Sequence, residues 1–472
     1  MTPEEFRAAA HELVDWVADY RLGVADRPVQ SVLRPGQVRS RMPAHAPAEP
    51  QPLAELVTML NEAVVPGITQ TQSPGFYGWF PSNAALASVL GDHVSSGVAA
   101  LGITWQSAPA LTEVEQVVTE WLRELCGLSD AWRGAIQDTA STGTLVALLA
   151  ARERASGMSI DGGGLQACPA PLVVYSSAHC HSSVEKAVLL AGFGRDNLRH
   201  VEVDPVTYAL RPESLRAAMA ADLAAGRVPA AVVAAIGTTG TTAMDPVREM
   251  CVVAAEFGAW VHVDAAMAGS AMLLPECRHL FDGVELADSL VWNPHKWMGT
   301  ILDCSLLYVR DVDHLVACMS TTPPYLRSQA DDDVVQFKDW GIPLGRRFRA
   351  LKLWFHLHLD GVQAIRQRLR RDLAHAAWLA EAVAAEPGWR VLAPVQLQTV
   401  CLRHEPEGLT GAELDRHTLA WADAVNASGK AFVSPSVLDG RWMVRVSIGA
   451  EATERADVEA LWALLRETAL SP

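Results

Sequence analysis

The runs WVHVDAA (Trp260 to Ala266) and SLVWNPHKW (Ser289 to Trp297) decide the fold. Each is short and almost wholly apolar until it ends on a polar side chain, Asp264 in the first and Lys296 in the second. Such runs read as strands buried on both faces. Outward from them, PLVVYSS (171–177), AAVVAAIGTT (230–239) and CSLLYVR (304–310) repeat the pattern, with helical periodicity between them. The alternation predicts an α/β fold with a mostly parallel central sheet and helices on both faces, whose sites lie at the carboxyl ends of the strands.

The flanks differ. Thr2, Pro3 and Glu5 form a helix-start signature, and Phe6, Ala10, Leu13, Val14 and Val17 then line one face. Residues 27–52 hold six prolines, which predicts an extended arm. Beyond Trp354 a long helical pattern leads to strands near 390–405 and 430–449, turned at Asp439 and Gly440, and to a last helix from about Thr453. Three parts are expected: an arm and dimerisation segment over 1–85, a large domain over 86–352, and a small α+β domain over 353–472.

Composition narrows the function. The 472 residues are half hydrophobic and 19% charged, with a formal net charge of -16, so neither disorder nor a surface for nucleic acid or anionic membranes is expected. Eight cysteines show no CxxC or zinc-like spacing, which argues against a disulfide framework or a metal site. The charged first twenty residues and the lack of a long apolar run point to a cytoplasmic protein. GxGxxG after a strand, GxxxxGK[ST], HExxH and GxSxG are all absent.

Polar residues gather instead at strand ends. Asp264 and Lys296 close two strands, His181 follows a third, and Thr139, Ala140 and Ser141 precede an apolar helix whose first amides can bind an anion. Singly, each has an ordinary explanation as a cap, an ion pair or a surface side chain. Together, an anion cup, a buried acid, a lysine and a flat imidazole are what pyridoxal 5'-phosphate (PLP) requires. Only five lysines stand among 33 arginines, and arginine cannot supply the free amine.

The segments HVDAAMAGSAMLLPECRHLFDGVELADSLVWNPHKW, SSAHCHSSVEKA, TASTGTLVALLAAR and IPLGRRFRALKLWF resemble the group II PLP-dependent amino-acid decarboxylases, above all those acting on aromatic L-amino acids. The resemblance implies the PLP-dependent transferase fold, type I. It makes Lys296 the Schiff-base lysine, Asp264 the partner of the pyridine nitrogen and His181 the residue stacked on the ring, with Ala266 on the opposite face. Ala140, Ser141, Asn293 and His295 would hold the phosphate, and Thr239 would sit near the ring substituents. Tyr325, in TTPPYLRSQADDD within an expected lid at 317–341, matches the tyrosine that protonates the carbanion. A homodimer with shared sites is implied, the arm wrapping the partner and Leu101 and Ile103 reaching across.

Departures from the family pattern bear on substrate. Compared with the animal aromatic decarboxylases, Thr71 replaces Trp, Trp79 replaces Tyr, and Ile103 and Leu302 each replace Phe. Phe80, Pro81, Ser82 and Leu101 complete the expected pocket wall. Gly345 stands where histidine-specific and many phenol-preferring relatives have Ser. Net enlargement points to a bulky ring, while Ile103 and Leu302 would also suit an aliphatic substrate. Relatives that make aldehydes tend to carry Phe for Tyr325 or Asn for His181, so both positions are decarboxylase-like. Asp138 and Thr142 replace a Gly and a Glu beside the phosphate cup. The expected activity is decarboxylation of an aromatic L-amino acid. Aliphatic decarboxylation, an oxygen-dependent aldehyde synthase and a non-catalytic PLP-binding scaffold are the alternatives.

Overall fold

Short runs of Val, Leu, Ile and Ala bounded by Gly, Pro and polar residues form the strands. The computed structural model describes residues 1–321 and 333–469. Two units result: Ser82–Ala374 with Ala393–Thr399, and Met1–Pro81 with His375–Leu392 and Val400–Pro472.

The first unit holds strands β1 (Arg133–Gln137), β2 (Leu172–Ser177), β3 (Leu198–Val201), β4 (Val228–Ala235), β5 (Trp260–Asp264), β6 (Ser289–Trp292) and β7 (Ser305–Val309). Their order is β1-β7-β6-β5-β4-β2-β3. β3, β2, β4, β5 and β6 pair in parallel, and β7 runs antiparallel to both β6 and β1. The sheet is thus mostly parallel, and every residue of β2, β5, β6 and β7 is buried. Two strands end earlier than their apolar runs suggest. After Ile236 the chain turns through Gly237 at φ +82°, and after Trp292 it enters a helical turn over Pro294–Met298.

Helix Ala140–Ser156 lies on this sheet at close range. A Cβ on Gly143 would come within 2.7 Å of Cγ2 of Val291, so only glycine permits that approach. Helices Leu86–Val98 and Ala350–Leu359 pack equally tightly, since a Cβ on Gly91 would meet the carbonyl oxygen of Leu351 at 2.4 Å. Residues 353–374, read from sequence with the small domain, therefore group with the large sheet.

In the second unit, strands β8 (Trp389–Val391), β9 (Thr399–His404), β10 (Ser434–Leu438) and β11 (Arg441–Ser447) lie in the order β10-β11-β9-β8. Asp439 and Gly440, at φ +51° and +73°, make the two-residue turn between β10 and β11. Helix Pro3–Leu22 starts with the expected capping box: Thr2 Oγ1 accepts the Glu5 amide at 3.2 Å and Glu5 Oε2 accepts the Thr2 amide at 2.7 Å. None of its residues is buried in the chain. The proline-rich arm is not extended throughout, because Gln37–Arg41 forms a short helix.

Candidate functional site

β1, β2, β4, β5 and β6 run in one direction, so the residues following them meet at one edge of the sheet. Ala140 and Ser141 follow β1, His181 follows β2, Thr239 follows β4, Asp264 and Ala266 end β5, and Asn293, His295 and Lys296 follow β6. The sequence-predicted cofactor residues thus share this edge, leaving Tyr325 aside.

Asp264 is buried, and its Oδ1 accepts the amide of Ala266 at 3.0 Å. The carbonyl of Ala266 in turn accepts the amide of Asn293 at 2.9 Å, which ties the ends of β5 and β6 together. Lys296 sits in the turn Pro294–Met298, and its own amide donates to Asn293 O at 3.0 Å. Asn83, which sequence reasoning missed, lies 3.5 Å from the Lys296 carbonyl oxygen through its Nδ2.

His181 is the N-cap of helix Ser182–Leu190. Its Nδ1 lies 3.1 Å from the amide nitrogen of Ser183 and 2.8 Å from Ser183 Oγ. Burial depresses its pKa and the positive charge of Lys296 adds to that, while the Asp264 carboxylate works in the opposite direction.

The anion end begins at Thr139, whose Oγ1 accepts the Thr142 amide at 3.4 Å and caps helix Ala140–Ser156. Among the described residues, the amides of Ala140 and Ser141 donate to no protein acceptor. Asp138 folds back, its Oδ1 accepting the Thr139 amide at 2.6 Å. Asn293 is buried, and its Oδ1 has no hydrogen-bond partner among the described residues. His295 Nδ1 lies 2.6 Å from the carbonyl oxygen of Cys304 and 3.1 Å from its amide nitrogen. The carbonyl is nearer, so Nδ1 carries the hydrogen and the neutral ring keeps its lone pair on Nε2. Burial and then Lys296 lower this pKa to about 4. The ring therefore donates to an anion through Nε2 only when a second proton binds.

A second layer supports these groups. His262 is fully buried two residues before Asp264, and its nitrogens meet Thr144 Oγ1 at 3.2 Å and Ser289 Oγ at 2.8 Å. The residue beside Cys304 is Asp303, whose carboxylate meets Lys352 at 3.0 Å and Arg349 at 2.9 Å. Burial alone would raise the Asp303 pKa, but those two cations bring it to about 2.

The expected pocket residues divide between the units. In the first, the amide of Gly102 donates to Arg346 O at 3.1 Å and the Arg346 amide returns a bond to Gly102 O at 3.0 Å, an antiparallel pairing that sets Ile103 opposite Gly345 and Leu101 opposite Arg347. Leu101, Leu302 and Gly345 are exposed in the chain, and Ser82 and Ile103 are half-buried. In the second unit, Trp79 holds φ +43°, its amide donating to Ser434 Oγ at 2.8 Å and its carbonyl accepting from Arg445 at 2.9 Å. Phe80 lies under the Arg445 guanidinium, 4.9 Å away, Thr71 is half-buried and Pro81 is buried. Tyr325 lies outside the described residues. Of the expected lid, 317–319 end a helix and 337–340 form a buried turn.

Unmet helix-end amides, a buried carboxylate and a lysine fit PLP, with its phosphate, pyridine nitrogen and aldehyde. No group of three potential metal ligands, and no helix long and apolar enough to cross a membrane, occurs among the described residues. Residues 35–405 match the pyridoxal-dependent decarboxylase conserved domain. A phenylacetaldehyde synthase of Arabidopsis thaliana is 39% identical, covering 99% of this chain and 96% of that protein. Tyrosine decarboxylase 2 of Narcissus pseudonarcissus is 38% identical, covering 99% and 95%. The crystal structure of Oryza sativa TDC with PLP and tryptamine superposes with a TM-score of 0.96 at 36% identity, covering 100% of this chain and 98% of that one.

Proposed function

The chain belongs to the pyridoxal-dependent decarboxylase family, a carboxy-lyase of fold type I with PLP as cofactor, and from that premise we propose that it decarboxylates an aromatic L-amino acid to the corresponding amine. The substrate would be of the tryptophan, tyrosine, phenylalanine or DOPA type. The gathering of Lys296, Asp264 and His181 at one edge of the sheet, after β6, β5 and β2, carries this reading.

When bound, PLP supplies an electron sink for the pair left on the α-carbon as carbon dioxide departs. Lys296 would attach the cofactor aldehyde covalently and be displaced by the substrate amine. Asp264, buried at the end of β5, would keep the pyridine nitrogen protonated. His181 would cover one face of the ring and Ala266 the other. The amides of Ala140 and Ser141 would hold the phosphate with Asn293 and His295, while Thr239 would lie near the ring substituents. Tyr325 would deliver the proton to the α-carbon. Thr71, Trp79, Phe80, Pro81, Ser82, Leu101, Ile103, Leu302 and Gly345 would form the substrate wall.

A homodimer accompanies this reading. Leu86, Leu90, Val94 and Val98 recur every fourth residue on helix Leu86–Val98 and are exposed, as is Trp354 on the helix packed against it. Helix Pro3–Leu22 leaves Phe6, Val14 and Leu22 exposed and its other apolar residues at most half-buried. Burying such faces against a second copy removes apolar area from water. A cytoplasmic location suits the composition.

Incubating the PLP-loaded protein with each L-amino acid and quantifying amine, carbon dioxide, aldehyde and peroxide tests the proposal. Equal amounts of amine and carbon dioxide from an aromatic substrate are expected. Aldehyde with equimolar ammonia and peroxide would replace it with the oxygen-dependent reaction, and a strong preference for glutamate would overturn it.

A further inference from the structure

A backbone amide can only donate a hydrogen bond, and an imidazole nitrogen can accept one only if it carries no hydrogen. The Ser183 amide lies 3.1 Å from Nδ1 of His181 as the capping bond of helix Ser182–Leu190. Nδ1 is therefore the bare nitrogen, and the proton of the neutral ring resides on Nε2. Ser183 Oγ, buried and 2.8 Å from the same nitrogen, must then donate as well. Protonating Nδ1 would cost the helix its cap and set a cation at the positive end of the helix.

The charges around the ring are the Lys296 ammonium, which also resists protonation until that amine is tied to the cofactor, and Asp264, which favours it. Burial sides with Lys296. Proximity to Asp264 alone would suggest an imidazolium, but two donors already occupy the nitrogen that would have to take the extra hydrogen.

We propose that Ser183 is a positioning residue that fixes His181 as the uncharged Nε2–H tautomer, so that this ring meets the substrate as a hydrogen-bond donor and not as a cation. The inference rests on reading His181 as the residue over the cofactor ring. A neutral N–H donor can orient a carboxylate oxygen without protonating it, so departure of the carboxylate as carbon dioxide is not opposed. An imidazolium in the same place would stabilise the carboxylate it must release.

Nitrogen NMR of the PLP-loaded enzyme carrying 15N-histidine, with His181 assigned by its disappearance in His181→Gln, reads the tautomer directly. A bare-type Nδ1 and a hydrogen-bearing Nε2, unchanged between pH 6 and 8, are expected. Ser183→Ala should raise the half-protonation pH of His181 by roughly one unit, a tenfold gain in proton affinity, and move the acid limb of kcat/KM with it. Ser183→Thr should restore both. A hydrogen on Nδ1 in the wild type, or titration of its His181 within pH 6–8, would overturn the proposal even in a fully active enzyme. The expected tautomer in a protein that decarboxylates nothing would uphold it and reject the catalytic reading instead.

Discussion

Nε2 of His262 lies 3.2 Å from Oγ1 of Thr144, joining the strand that ends in Asp264 to the helix that begins at Ala140. Alternation along β5 puts His262 and Asp264 on one side of the sheet, and Thr144 is one turn beyond Ala140. The other ring nitrogen meets Ser289 Oγ at 2.8 Å, a hydroxyl that also accepts from Trp260 Nε1 at 2.8 Å. The network thus fixes the spacing between Asp264 and the first amides of helix Ala140–Ser156.

His262→Phe should therefore weaken PLP binding. The change leaves Thr144 and Ser289 buried without this partner, at a cost of about 1–3 kcal/mol per unmet group. We expect the dissociation constant for PLP, followed by cofactor fluorescence during dialysis, to rise about tenfold, or ~1.4 kcal/mol. An unchanged constant would show that the network does not set the spacing.

The same variant isolates a pH effect. Burial lowers the folded pKa of His262 from 6.5 to about 4, with Asp264 opposing. Its neutral ring thus contributes stability that is complete above 6.5 and is lost as pH falls toward 4, because the unfolded chain binds the proton first. Phenylalanine has no such loss. The stability gap between wild type and His262→Phe should shrink by roughly 2–3 kcal/mol between pH 7 and 4.5, measured by urea unfolding. A constant gap would mean that the folded ring titrates normally.

Lys352→Met tests the support behind His295. Lys352 is fully buried and donates to the carbonyls of Leu302 and Asp303, both at 3.2 Å, and to the Asp303 carboxylate at 3.0 Å. Breaking a buried pair usually costs about 3–5 kcal/mol. Arg349 still holds Asp303 and that carboxylate is partly exposed, so about 2 kcal/mol is expected in urea unfolding. A change within ~0.5 kcal/mol would show that the lysine is dispensable to the fold.

Much of this was legible where chemistry and periodicity agree. The β5 run ends on Asp264 and the run that starts as β6 carries on through a helical turn to Lys296, so both polar residues stood out, and the resemblance supplied their expected roles. β1 and β3 did not, because RGAIQ contains glycine and LRHV is a short, partly exposed edge strand that borrows its regularity from β2. The support network was hidden for a different reason. Thr144, His262 and Ser289 are far apart in the chain, and only the packing of the helix on the sheet brings them together. Ser183 had a local signal, a polar residue two positions beyond His181 at a helix start, but an imidazole in the capping role is an uncommon reading.

Gly345→Ser addresses substrate choice. Among the described residues, a Cβ on Gly345 would meet nothing within 4 Å, and the neighbouring Arg346 keeps its backbone pairing with Gly102 whichever side chain is present. The fold should tolerate the change, with stability within ~0.5 kcal/mol of the parent. A hydroxyl beside Ile103 would add a polar partner for a phenol and take space from an indole. Because one hydroxyl in an otherwise apolar pocket discriminates modestly, the ratio of kcat/KM for tyrosine over tryptophan should rise by about tenfold. Parallel kinetics on the two amino acids would measure it, and an unchanged ratio at unchanged stability would place Gly345 outside the substrate wall.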